Sequence, residues 1–311
     1  MRRAPTEIVE LAARARHALR LAAFASTVAL AGCGGDSASV PMEVRTSAAD
    51  VGGLVDIGGG RKMYLECSGR GSPTVVLISG KGNGAAVWSE ILDPADPAHD
   101  ADHDVLAWGQ GELHRRASAV FPSVSRFTRV CAYDRPGVRL DGPEVSTPII
   151  QPHPADQAAD DLHRLLVAAG EAGPYVLVPH SYGGVVAILL AQAWPGEVDG
   201  LVMVDAVAPL IRQVVGAEAL ARWDALNRRS TPEAPEAVML SDAFAKIDAR
   251  PALRRLPAVV LSGDKPWQQA SAAPEGDAAS AVNFADWRLL QRLLAASLDA
   301  KLVEATNSGH N

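Results

Sequence analysis

The stretch YVLVPHSYGG, residues 175–184, decides the fold. Tyr175 to Val178 is a short β-rich apolar run, and His180-Ser181-Tyr182 follows it without a linker. Gly183 and Gly184 then open the amphipathic helical run VVAILLAQAW. A strand, a tight turn with serine at its tip, and a helix make the geometry of a nucleophile elbow. Such a turn lifts the hydroxyl of Ser181 out of the sheet and points the Tyr182 N–H toward the reacting bond. The pattern departs from G-x-S-x-G in one place, because Pro179 fills the first glycine position. Proline removes a ladder N–H, but at the last residue of a strand that loss is small. It also keeps Val178 extended.

Working outward, strand and helix signals alternate. GLVDIGG (53–59) and KMYLECSG (62–69) are joined by Gly60-Arg61, which predicts a hairpin. TVVLISG (74–80) is continuously apolar, as expected of a strand buried on both faces. It runs into the glycine-rich loop Ser79-Gly80-Lys81-Gly82-Asn83-Gly84, at the end of the strand where open α/β sheets bind ligands. No G-K-[ST] follows, so the loop is not a phosphate loop. It is suited to leaving a backbone N–H, that of Lys81, free to face an oxyanion.

The next segments follow the same logic. Residues 93–104 hold His99, Asp100, Asp102, His103 and Asp104. These are metal-ligand types, but their spacing fits no ligand pattern, so a solvated loop is expected and no metal. GQGELHRRASAVFPSVSRF (109–127) predicts a helix leading to the strand TRVCAYDRPG (128–137), whose Asp134-Arg135-Pro136-Gly137 is expected to brace its own turn. ADQAADDLHRLLVAAG (155–170) is an amphipathic helix closed by Gly170. After the elbow come the strand GLVMVDA (200–206) and a mostly helical stretch over about 208–255, broken by Pro232, Pro235 and Pro251. That stretch is too long for a crossover and is expected to form a lid. PAVVLSGD (257–264), a helix over 284–300 and the strand KLVEA before Asn307-Ser308-Gly309-His310 complete the pattern.

Composition bounds the rest. The chain has 311 residues, 48% of them apolar, and three cysteines, which is too few for a disulfide scaffold. Residues 1–20 are arginine-rich and residues 21–32 small and apolar. Leu30-Ala31-Gly32-Cys33 resembles the lipobox of bacterial lipoproteins, which implies a signal over 1–32, lipid on Cys33 and a flexible tether over 33–50. No later stretch approaches the roughly 18 apolar residues of a membrane span. Residues 1–32 hold five arginines and two glutamates. Without them the chain carries 24 Lys+Arg against 34 Asp+Glu, a net charge of −10. An acidic chain with no basic cluster argues against nucleic acid as a partner.

VVLISGKGNGAAVW, RVCAYDRPG, YVLVPHSYGGVVA with GLVMVDA after it, and TNSGH together resemble the α/β-hydrolase superfamily over about residues 53–311. The resemblance implies an eight-stranded, mostly parallel sheet in the order 1-2-4-3-5-6-7-8, flanked by helices and capped by the lid, with the domain over 51–311. It also implies a triad in the chain order serine, acid, histidine. Ser181 would be the nucleophile and His310 the general base. Asp205, at the tip of the sixth strand, is the preferred acid. Asp264, one residue past Gly263, is the alternative, because the commoner family position holds Pro266. The N–H groups of Lys81 and Tyr182 would form the oxyanion hole, from Ser79-Gly80 where many members carry His-Gly. The family continues past its histidine into a further helix. If Asn311 is the last residue, the His310 loop is expected to lack that support. In the implied sheet order Cys67 and Cys131 lie on neighbouring strands, which leaves either a disulfide or two buried thiols.

The activity implied is that of a lid-covered serine hydrolase acting on a small-molecule ester or related acyl compound without a cofactor. The protein is expected to be exported, and either anchored to the bilayer at the outer face of a bacterial cell membrane through Cys33 or secreted. A cofactor-free haloperoxidase or lyase on the same triad, and a non-catalytic binding lipoprotein of the same fold, are the alternatives.

Overall fold

A computed structural model describes residues 49–92, 113–139, 143–232, 234–265, 282–306 and 308–310. The expected signal, Cys33 and the His/Asp run over 93–104 lie outside the described residues. The strands are β1 (Val51–Gly58), β2 (Arg61–Ser68), β3 (Thr74–Ile78), β4 (Glu90–Leu92), β5 (Leu113–Arg115), β6 (Val130–Tyr133), β7 (Tyr175–Pro179), β8 (Val198–Val204), β9 (Ala258–Gly263) and β10 (Lys301–Ala305). The helices are α1 (Val120–Val124), α2 (Ala155–Ala168), α3 (Gly183–Ala193), α4 (Ile211–Asn227), α5 (Leu240–Asp248) and α6 (Phe284–Ser297).

Eight strands form one sheet in the order β1-β2-β6-β3-β7-β8-β9-β10, and β4 and β5 pair separately. Leaving that pair aside, the order is the implied 1-2-4-3-5-6-7-8. β2 runs antiparallel to both β1 and β6, and the other pairs are parallel. The central strands are nearly all apolar because both faces are covered. Along β3, Val76 and Ile78 enter one core cluster while Val75 and Leu77 enter the other. The same alternation sorts Cys131 and Tyr133 from Val130 and Ala132 on β6, and Tyr175 and Leu177 from Val178 on β7.

α2 buries Ala155, Ala158, Ala159, Leu162, Leu165 and Leu166 on one stripe and leaves Val167 exposed, as its periodicity predicts. Gly170 ends it in the left-handed region (φ +74°), where the Glu171 N–H returns to the Leu166 carbonyl at 2.9 Å. α3 differs from its amphipathic reading: Gly183 to Ala191 are all buried. It is a central helix enclosed by the sheet, α2 and the α4–α5 insertion, so no polar face is needed.

Two further differences lie before and after the sheet's centre. Of the helix expected over 109–127, the described residues from 113 onward hold only the five of α1, and Leu113–Arg115 are a strand paired with Glu90–Leu92. Pro122 explains the limit. A helix running in from residue 113 would place it in the interior, where its ring meets the preceding turn at a cost of about 3 kcal/mol. In α1 it stands in the first turn. Between β8 and β9, α4 and α5 are separated by a non-helical stretch containing Pro232 and Pro235, and α4 itself kinks at Gly216 (φ +75°, ψ 171°). Among the described residues no helix is long and apolar enough to cross a membrane.

Cys67 and Cys131 are direct partners in the β2–β6 register, with their sulfurs 2.10 Å apart in a disulfide. This is the bonded member of the two alternatives left by the sequence.

Candidate active site

The chain turns at the carboxyl end of β7 under tight constraints. Pro179 pairs with Ile78 as the last residue of the strand, and the His180 N–H resumes the ladder by donating to the Ile78 carbonyl at 2.9 Å. One N–H is therefore lost at the strand's end and none in its middle. Ser181 then adopts φ +50°, a left-handed conformation uncommon outside glycine. The two glycines that follow have packing reasons. A Cβ on Gly183 would overlap the Ile78 carbonyl oxygen, and one on Gly184 would stand 2.5 Å from that of Val207. The helix can start this close to the sheet only because both residues lack side chains.

Ser181 Oγ lies 3.0 Å from His310 Nε2, and His310 Nδ1 lies 2.9 Å from Asp205 Oδ2. Asp205 follows β8 directly and also has a positive φ, +43°. Its second oxygen accepts the Gly263 N–H at 3.3 Å. An ionised carboxylate can only accept, so Asp205 takes Nδ1–H of the imidazole and leaves Nε2 to accept the serine proton. His310 and Asp205 are both buried, and the edge of Trp287 stands against the imidazole with ring centroids 5.1 Å apart.

Asp264, the alternative acid, makes a different set of bonds. Its Oδ1 accepts the Ser308 N–H at 3.0 Å, and its own N–H donates to the Ser308 carbonyl at 3.0 Å. It fastens the loop that carries His310 while Asp205 meets the ring.

That loop makes further bonds to the rest of the site. The Lys265 N–H also donates to Ser308 O at 3.0 Å, and His180 Nε2–H donates to the main-chain oxygen of His310 at 2.6 Å. Burial, reinforced by the neighbouring His310, lowers the pKa of His180 to about 3. The ring is therefore neutral, as a donor with one bare nitrogen.

The glycine-rich loop lies beside the elbow. A Cβ on Gly80 would stand 3.0 Å from His180 Nδ1 and 3.1 Å from Ser181 Cβ, which accounts for glycine there. Among the described residues neither the Lys81 N–H nor the Tyr182 N–H has a hydrogen-bond acceptor. Tyr182 stands at the N-cap of α3, where helix N–H groups are left unpaired and the dipole favours negative charge. The Lys81 ammonium is pushed below its ordinary range by burial, with Glu236 acting in the opposite direction.

The side chains of Asp134 and Arg135 bond to the loop after β3 rather than to the backbone of their own turn. Asp134 Oδ1 accepts the Ala85 N–H at 2.6 Å. Arg135 donates to the carbonyls of Ser79 at 2.8 Å and Gly80 at 2.5 Å. Both side chains reach across to the loop after β3, because β6 and β3 are neighbours in the sheet and their carboxyl ends are adjacent. The signal available in the sequence was an Asp-Arg pair at the end of a wholly apolar strand.

The fold is that of an α/β hydrolase, and the chain belongs to that family: the sequence profile of the alpha/beta hydrolase family matches residues 75–311. It is similar to an uncharacterized protein of Schizosaccharomyces pombe, 32% identical over 149 residues, which are 47% of this chain and 26% of that protein. The chain thus spans about a quarter of that relative's length. Among solved structures it is similar to a thermophilic esterase from Thermogutta terrifontis (18% identity, TM-score 0.45, covering 85% of this chain and 92% of that one). It is also similar to the enol-lactonase from Burkholderia xenovorans LB400 (17% identity, TM-score 0.45, covering 81% and 90%).

Proposed function

We propose that this protein is a serine hydrolase that cleaves an ester or related acyl bond through an acyl-enzyme. The observation that carries this reading is the relay of 3.0 Å from Ser181 Oγ to His310 Nε2 and 2.9 Å from His310 Nδ1 to Asp205 Oδ2. His310 takes the hydroxyl proton as Ser181 attacks the carbonyl carbon. Asp205 holds the imidazole tautomer and stabilises its charged form. The N–H groups of Lys81 and Tyr182 receive the oxyanion, and one such donor is typically worth about 3–4 kcal/mol of barrier. His310 then gives its proton to the departing alkoxide, and water, deprotonated by the same imidazole, releases the acid. The α4–α5 insertion is proposed as the lid over this chemistry. No cofactor enters the scheme.

The test is hydrolysis of p-nitrophenyl acetate and butyrate, with labelling by a serine-directed phosphonate. Turnover and labelling that both vanish in Ser181→Ala are expected. A folded protein that neither turns over nor labels would sink the hydrolase reading and favour a binding protein.

We also propose, on the run Leu30 to Cys33, that the chain is exported and lipidated at Cys33. Expressed from its full gene in a bacterium, it is expected to fractionate with membranes, and Cys33→Ser to release it. Equal membrane association of both forms would sink the anchor.

A further inference from the structure

The side chains of Arg135 and Glu236 come together from 101 residues apart. Among the described residues Arg135 is the largest fully buried side chain, and Glu236 is 4% exposed. Arg135 Nε donates to Glu236 Oε1 at 2.6 Å and one terminal nitrogen to Glu236 Oε2 at 3.2 Å. The remaining donors go to the glycine-rich loop, at Ser79 O (2.8 Å) and Gly80 O (2.5 Å). Glu236 Oε2 accepts a third contact from that loop, the Gly82 N–H at 2.5 Å. The pair therefore grips the loop on both sides of Lys81, through two carbonyls before it and one N–H after it. The guanidinium carbon also stands 5.4 Å from the centre of the Tyr182 ring. Burial opposes the charge on Arg135, but Glu236 and its hydrogen bonds more than offset this and hold its pKa above the ordinary value. The guanidinium therefore keeps its charge.

Glu236 sits in the non-helical stretch between α4 and α5, within the insertion that separates β8 from β9. Neighbouring bonds dock this stretch: the Ala237 N–H donates to Gln151 Oε1 at 3.1 Å and the Val238 N–H to the Asn227 carbonyl at 2.9 Å.

We infer that Arg135 and Glu236 are positioning residues for the oxyanion hole: the ion pair fixes the main chain around Lys81 and the ring of Tyr182, so that the hole is formed only when the stretch between α4 and α5 is docked. This role presupposes the serine-hydrolase reading for its effect on rate, but not for its effect on the loop. An ion pair that served stability alone would be replaceable by well-packed apolar side chains with no loss of turnover, since such replacements are often neutral or stabilising. A pair that sets donor geometry is not replaceable in that way, because a misplacement of about 1 Å can cost about a hundredfold in rate.

Two readouts on the full chain separate these roles. The first is kcat and KM for p-nitrophenyl butyrate, with the inhibition constant of an aryl trifluoromethyl ketone, whose adduct carries an oxyanion. The second is hydrogen exchange of the peptide covering 79–85. Single substitutions strand a buried charge and can unfold the protein, so Arg135→Lys and Glu236→Gln are accompanied by the double variant Arg135→Met with Glu236→Leu. The double variant is expected to stay folded, lose roughly a hundredfold in kcat with KM nearly unchanged, weaken the ketone in proportion, and exchange faster over 79–85. Arg135→Lys is expected to recover part of kcat. A folded double variant with wild-type kcat, or with wild-type exchange in the loop, would overturn the inference. If the wild-type chain shows no Ser181-dependent turnover, the hydrolase reading fails by itself, and loop exchange alone decides whether the pair holds the loop.

Discussion

His180 Nε2 lies 2.6 Å from the main-chain oxygen of His310, so a residue on the turn that carries Ser181 holds the backbone of the histidine that faces Ser181. The bond ties together two segments 130 residues apart in sequence. His180→Phe keeps an aromatic ring but deletes the donor of this buried hydrogen bond, at a cost of about 1–3 kcal/mol. Ser181-dependent kcat is expected to fall about tenfold with a lower melting temperature, following from the misplacement of His310. His180→Gln, which retains a donor, is expected to fall between the two. Wild-type kcat and stability in His180→Phe would show that the bond is incidental.

The same residue sets a pH dependence. The folded pKa of His180 is about 3, against about 6.5 for an unfolded histidine. Between those values the unfolded chain binds a proton that the folded one does not. Stability is therefore fully present above about pH 6.5 and is lost as the pH falls toward 3, by about 2 kcal/mol between pH 7 and pH 5. His153, lowered by burial, acts with the same sign. Asp156 and Asp248, lowered by their partners, contribute stability that is present above the ordinary carboxylate range and is lost only as the pH falls below it. Urea unfolding at pH 7 and pH 5 is expected to show a smaller difference in His180→Asn than in wild type. An unchanged difference would assign the acid sensitivity elsewhere.

The two aspartates near the histidine loop separate by role. Asp205→Asn disturbs the imidazole tautomer and is expected to lower kcat by about 10³–10⁴. Asp264→Asn keeps an oxygen for the Ser308 N–H and is expected to keep kcat within about tenfold, because it leaves the ring's partner untouched. Steady-state kinetics on both variants decide the matter. A larger loss in Asp264→Asn would reverse the assignment.

The sheet was legible because its central strands are nearly all apolar and α2 and α6 bury stripes with a 3.6-residue period. Ser181, Asp205 and His310 could be proposed because each directly follows or lies shortly after a strand. What remained hidden depends on contacts across the sheet. Choosing Asp205 over Asp264 requires the path of the loop through Ser308, which no local pattern encodes. Arg135 and Glu236 meet only because β6 lies beside β3 and the insertion folds back over their carboxyl ends. His180 adjoins the serine in sequence, and no local pattern encodes its bond to the main chain of His310. The three-residue strands β4 and β5 are too short to show a period.

The elbow's glycines make a packing prediction. Gly183→Ala would drive a methyl group into the Ile78 carbonyl, and Gly184→Ala into that of Val207. Backbone would have to move in both cases, so each is expected to destabilise by about 1–3 kcal/mol or more and to displace Ser181. Gly196 has nothing within 4 Å of where a Cβ would stand and no positive φ. Gly196→Ala is the matched control, and thermal melts of the three variants should separate it from the elbow pair. A Gly183→Ala protein as stable as the control would mean that the helix can lift off the sheet without cost.

The Cys67–Cys131 bridge closes a sequence separation of 64 residues between two strands that already pair directly. Closing a loop of that length lowers the entropy of the unfolded chain and is worth about 2–4 kcal/mol of stability. The bridge lies between β2 and β6, away from the loop after β3 and from the elbow, so its removal acts on the unfolded state more than on the site. Intact mass with and without reduction before alkylation should show one bridge. Cys67→Ala with Cys131→Ala is expected to lower the urea midpoint while leaving kcat and KM near wild type. A variant that keeps its midpoint would show that the β2–β6 ladder holds the edge unaided. One that keeps its stability but loses kcat would instead connect this edge to the Arg135 end of β6.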